Sequence, residues 1–294
     1  MSDVSWGLRL DLFRWALLAA LTAGLVCPLI GSLLLVRRTS FYGITLPQFA
    51  TAGVVFGFVV MPWWIAHIGL GDLDLETALG SSHAAMNYHL LWAALFTFGG
   101  LLLLVLAGRR GGREIARVAA AFAIANAATI LFGRRSPVGT SVVDDLLMGE
   151  VLGVGRHELE VLAGGLGIAA LVTLWLLHDL VLVSFDRETA RVLGRNVTAL
   201  ESLLNVLVGL TVAVGTMILG PTLLFGLLVV PPLAARSWAR SMAGFLWLSV
   251  GFGALAVAGG VVVSFELDLP LGAAIVGVAG LELLPSGARR LLRR

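Results

Sequence analysis

WALLAALTAGLVCPLIGSLLLV, residues 15–36, is an unbroken apolar run of 22 residues without a single charge. As a helix it measures ~33 Å, enough to cross the ~30 Å hydrocarbon core of a bilayer. It is too long for a signal-peptide core and continues past Cys27, so that cysteine is expected to be a buried structural thiol. Arg37-Arg38 follow at once, a basic flank that holds a helix end on the cytoplasmic side.

The same pattern recurs outward from this segment. Further apolar runs lie near 43–65, 90–107, 115–132, 161–177, 203–219, 223–235, 245–263 and 271–284. They predict an all-α polytopic transmembrane bundle of eight to ten spans, with nine preferred. Composition agrees: 59% of the 294 residues are hydrophobic and only 13% are charged, against about 25% charged in soluble domains. No polar stretch is long enough to fold alone, so residues 1–294 are expected to form one membrane domain. All twenty basic residues are Arg. A phosphate-binding loop of the G-x-x-x-x-G-K-[ST] type therefore has no Lys to use. The sequence pI near 9.3 comes from Arg beside apolar runs, which are orientation signals rather than a nucleic-acid surface.

Arg pairs place residues 37–38, 109–113, 187–195, 236–240 and 289–294 in the cytoplasm. Residues 67–89, with Asp72, Asp74 and Glu76, and residues 264–270 carry acids and no base, and are expected outside. Arg134-Arg135 falls outside by the same count, against the rule. Pro47, Pro221 and Pro231-Pro232 interrupt apolar runs and predict kinks or broken helices.

Between two spans lies VSFDRETARVLGRN, residues 183–196. Asp186 suits an N-cap and Gly194 a C′ position, which predicts a helix of about two turns. So short a helix would not persist alone in water. Held by a span at each end, it makes a rigid cytoplasmic knob on which another protein can push; an ordinary helical surface loop is the plainer alternative.

This segment is similar to the coupling region of the zinc/manganese/chelated-iron permease family of ABC importers, in which an acidic residue, then Ala, then Gly precede the next span. LIGSLLLVRRTSFYG, residues 29–43, looks like the family's G-S-x-x-x-x-R-R-x-S-x-x-G segment. MILGPTLLFGLLVVPPLAAR, residues 217–236, looks like its Leu- and Pro-marked region ending in A-R, and LPLGAA, residues 269–274, resembles its final outer turn. These stretches occur in the family's order, and the resemblance covers about residues 12 to 284.

The resemblance implies a permease domain over residues 1–294 with a fold similar to the cobalamin/iron-siderophore type of importer. It implies coupling to an ATPase through residues 184–196, with Asp186, Arg187, Glu188, Ala190, Arg191, Leu193 and Gly194 as the contact set. It implies a homodimer in the bacterial inner membrane, a cytoplasmic ATPase subunit that binds ATP, and an extracytoplasmic substrate-binding protein. No cofactor is expected in this chain and no nucleic-acid partner.

One part of the family pattern is missing. The family's second span carries Asp and, four residues later, His, a pair that suits zinc or manganese. Here the positions are Ile44 and Gln48. Ile44 cannot coordinate a metal and Gln48 offers only a neutral amide oxygen, so the metal ligands and the substrate are left open. Thr45, Gln48 and Thr51 are the candidate pathway residues, with Asn126, Thr129, Asn205 and Thr211 as further polar groups in spans. His83, Met86 and His89 sit at i, i+3, i+6 in the expected outer loop, where they could collect cations or be incidental.

Two other function classes compete. A secondary transporter or channel would work without an ATPase, but such proteins place charged relays inside spans, and here nearly every charge lies near a span end. An intramembrane enzyme is suggested by His157-Glu158, yet the position completing H-E-x-x-H is Val161.

Overall fold

The computed structural model describes residues 6–37, 39–67, 83–108, 114–136 and 153–292, and among them every regular element is helical. In chain order the helices are α1 (Trp6–Leu12), α2 (Arg14–Val36), α3 (Tyr42–His67), α4 (His83–Gly108), α5 (Glu114–Gly133), α6 (Arg156–Trp175), α7 (Leu177–Phe185), α8 (Arg187–Val192), α9 (Val197–Leu219), α10 (Pro221–Arg236), α11 (Met242–Leu267) and α12 (Leu271–Leu292).

Seven of these are long and apolar enough to cross a membrane: α2, α3, α4, α5, α6, α9 and α11. The eight to ten expected spans are thus seven by length, and the other two apolar runs lie in α10 and α12, whose apolar lengths are shorter. α2 and α9 form the centre, since 67% of each apolar window is buried, against 17% for α5. The outer helices show lipid a band of exposed Leu and Ile, including Leu102, Leu103, Ile124, Leu131 and Leu171.

Side-chain contacts sort the helix ends into two levels. Arg37 at the end of α2 bonds Asn205 near the start of α9, and Thr45 near the start of α3 bonds the Val118 carbonyl near the start of α5. At the opposite end Phe13, before α2, meets Phe265 near the end of α11. Tyr88, early in α4, donates to the Gly57 carbonyl late in α3. The chain therefore alternates in direction, and Arg37, Arg187, Arg195 and Arg236 share one end, as the distribution of Arg requires.

α10 is 16 residues long, about 24 Å and short of a full crossing. It follows α9 after one residue, Gly220, whose φ of 80° suits glycine. Leu219, Gly220 and Pro221 are buried in protein, so the break keeps its polar backbone out of lipid. Pro221 sits at the first helical position, where its missing N–H costs nothing. Pro47 and Pro231-Pro232, expected to kink or break helices, lie inside the continuous helices α3 and α10. Only Pro221 marks a true break.

α10 packs its middle against α2 at closest range beside Gly31, where any Cβ would strike the Leu228 carbonyl. Without a hydrophobic drive between helices in lipid, such small-residue approaches hold the bundle together. Hydroxyls in the spans are mostly satisfied locally: Thr51, Thr97, Thr129, Thr211 and Ser249 each donate to the carbonyl four residues back.

Candidate functional site

The segment expected to form a knob does so. Asp186 caps α8 by accepting from the backbone N–H of Glu188 and Thr189 at 3.0 and 3.1 Å and from the Thr189 hydroxyl at 2.6 Å. These bonds, the Thr189 hydroxyl first, hold the Asp186 carboxyl below its ordinary value, while its slight desolvation pulls the other way. At the far end the Gly194 N–H bonds the Arg191 carbonyl and the Arg195 N–H bonds the Ala190 carbonyl. That pattern is a Schellman close around Gly194, at φ 74°.

Two ion pairs clamp the knob to its neighbours. Arg187 at the start of α8 pairs with Glu201 on α9, and Arg195 just beyond α8 pairs with Asp179 on α7 at 3.2 Å. A further surface pair joins Arg191 and Glu188 at 3.1 Å. Ala190 is fully buried against Val183 and Val197, whereas Val192 is 86% exposed, Phe185 76% and Leu193 63%. Of the expected contact set, Ala190 thus anchors the knob inward, and Leu193 faces out with Val192 and Phe185, two apolar residues outside that set.

The candidate pathway residues Thr45, Gln48 and Thr51 all lie on α3. Thr45 donates across to the Val118 carbonyl at 3.4 Å and Thr51 back to Pro47 at 2.9 Å, and both are buried. Ile44 and Gln48 are half-buried, one turn apart on α3. The Gln48 Oε1 is buried and has no hydrogen-bond partner among the described residues.

His83, Met86 and His89 are not in a loop. All three lie in α4, and Met86 and His89 are buried. The His89 ring lies between Phe58 and Tyr88, at centroid separations of 4.0 and 5.2 Å, in an aromatic layer with Trp64 and Trp92. This corrects the placement: the run of α4 begins earlier than hydropathy suggested, because α3 covers its first turns. Asp72, Asp74 and Glu76 lie outside the described residues. Among the described residues no three His, Cys, Asp or Glu side chains come together as a metal site. Glu158 accepts from the Gly155 N–H at 3.1 Å, a bond that closes the start of α6. Cys27 is free and buried.

Residues 9–289 match the family described as the ABC 3 transport family. The chain belongs to the ABC 3 transport family. As an ABC 3 family protein it is a transport permease, and with its apolar helices it is a multi-pass protein, in bacteria of the inner membrane. It is 25% identical to an uncharacterised membrane protein of Synechocystis sp., over 96% of this chain and 92% of that one. It is 27% identical to the manganese transport system membrane protein MntC of Halalkalibacterium halodurans, over 90% of this chain and 82% of that one. Its fold is similar to a chain of PsaBC from Streptococcus pneumoniae solved in complex with Fab, with a TM-score of 0.73, 21% identity, and coverage of 93% of this chain and 90% of that chain.

Proposed function

We propose that this ABC 3 family chain is the permease subunit of an importer that carries a divalent metal ion, zinc, manganese or iron, inward across the membrane. It acts as one permease domain over residues 1–294, in a homodimer. A cytoplasmic ATPase subunit binds and hydrolyses the ATP, and an extracytoplasmic binding protein delivers the ion. The chain carries no cofactor and no catalytic site of its own.

The observation that carries this reading is α8: a capped, doubly clamped helix at the Arg-rich end, with Phe185, Val192 and Leu193 turned outward. A surface helix held this firmly, with three large apolar side chains in view, fits a groove on a partner and moves as a body when pushed. The contact set is residues 184–196, in which Asp186 and Gly194 shape the helix and Leu193 meets the ATPase. Arg187, Glu188 and Arg191 tune the polar rim, and Ala190 seats the helix on the bundle. Gln48, with Thr45 and Thr51 supporting its helix, borders the path of the ion. Ile44 stands in place of the carboxylate, so the ion meets only a neutral oxygen at this point and is held weakly while passing.

The test is uptake into liposomes holding the permease, its ATPase and its binding protein, with manganese, zinc or iron offered in turn. Uptake is expected only with ATP on the ATPase side, and Gln48→Ala is expected to change the half-saturating ion concentration more than Asn126→Ala. Ion uptake by the permease alone, driven by an ion gradient, would favour the secondary transporter instead.

A further inference from the structure

The inner end of α9 carries two polar residues one turn apart, Glu201 and Asn205, on the same face of the helix. Each is engaged from a different side. Arg187, the first residue of α8, reaches Glu201 as a close charge contact rather than an aligned hydrogen bond. Arg37, directly after α2, donates from Nη1 to the Asn205 Oδ1 at 3.4 Å.

Arg37 is half-buried, which lowers its guanidinium from its ordinary value. Among its neighbours Glu201 opposes that shift and Arg187 adds to it. Glu201 is thus ion-paired with Arg187 and close enough to Arg37 for their charges to interact, at the junction of three helices. Removing the acid takes away the charge that offsets the repulsion between the two guanidinium groups.

The cluster also has a mechanical position. Arg37 lies two turns beyond Gly31, where α2 touches the α10 backbone at Leu228 without room for a Cβ. A chain of contacts runs from α8 through α9 to α2 and so to the short, broken-off helix α10.

We propose that Glu201 is a positioning residue for energy coupling. It holds Arg187 of α8, and Asn205, one turn further along α9, holds Arg37 at the end of α2, so that a displacement of α8 reaches the α2–α10 contact. This rests on the reading of α8 as the helix that meets the ATPase. A linkage through packed elements is established only by measured coupling between its members.

The complete transporter in liposomes supplies that measurement, as ions moved per ATP hydrolysed. Glu201→Gln, outside the segment that meets the ATPase, is expected to keep the ATPase bound and hydrolysing while lowering this ratio about fivefold, and Arg187→Gln is expected to lower it as far. The double variant is expected to be no worse than either single one, because both cut the same link. Glu201→Asp, which keeps the charge, is expected to restore most of the ratio, which a purely space-filling role would not require. Arg187 is an exposed side chain, so Arg187→Gln leaves the fold intact even where Glu201→Gln does not. An unchanged ratio in Arg187→Gln, or losses that multiply in the double variant, overturns the linkage. Leu193→Glu separates the two levels. If it leaves the ATPase bound, the docking role of α8 fails and this linkage with it; if it releases the ATPase while Arg187→Gln changes nothing, the linkage alone is wrong.

Discussion

Ala190 and Leu193 sit three residues apart in one short segment and face opposite ways. Ala190 has no exposed surface and packs on Val183 and Val197, while Leu193 stands 63% exposed at the end of the helix. A charge at Leu193 would remain in water and spoil only what docks there. A charge at Ala190 would be buried without a partner, among the most damaging single changes known. Leu193→Glu is therefore expected to release the ATPase on affinity purification while leaving the permease melting temperature within about 2 °C, as exposed substitutions do. Ala190→Glu should lower the melting temperature by more than that, whether or not the ATPase is present. The two effects separate docking from seating. The segment's helix was legible because its signals are local: Asp186 and Gly194 act within a few residues of themselves. Which side of it faces outward was not, since that depends on Val183 and Val197 arriving from α7 and α9.

At the scale of elements, the spans were legible because a bilayer enforces them: a run that must satisfy its backbone in lipid becomes a helix. What sequence misjudged were matters settled between helices. Arg37 and Asn205 are 168 positions apart, and no periodicity joins them. His89 read as a loop residue until α3 supplied Phe58 as its cover. Pro47 offered a kink or a break, and α3 does not break there; the Thr51 hydroxyl bonds the Pro47 carbonyl. The glycines divide in the same way. Gly31 meets the Leu228 carbonyl, whereas Gly251 in α11 has nothing within 4 Å of where a Cβ would stand. Gly31→Ala is expected to destabilise by about 1–3 kcal/mol, as overpacking against backbone does. That outweighs the helix-propensity gain of up to ~1 kcal/mol. Gly251→Ala keeps the gain without the clash and should be neutral or slightly stabilising. Thermal melting in detergent compares the two directly, and equal effects would remove the special role given to the α2–α10 contact.

For the whole molecule the question is whether α10 carries the chain across. By length it is too short, at 16 residues, and a chain that failed to cross there would place the α11–α12 turn on the cytoplasmic side. The packing says otherwise: Phe265 near the end of α11 meets Phe13, which lies at the end of α2 opposite Arg37. The buried Gly220 turn makes up the missing depth, since α9 and protein rather than lipid surround it. The sole cysteine gives a clean way to check this. Cys27 is fully buried within α2, so the native chain should react little with a membrane-impermeant maleimide, and a new cysteine can be placed in an otherwise silent background. Glu266→Cys, at the exposed end of α11, is expected to label on intact cells. Val192→Cys, on α8, should label only after the membrane is opened. Labelling of both only after the membrane is opened would mean that α10 does not cross, whereas labelling of Val192→Cys on intact cells would put α8 out of reach of a cytoplasmic ATPase.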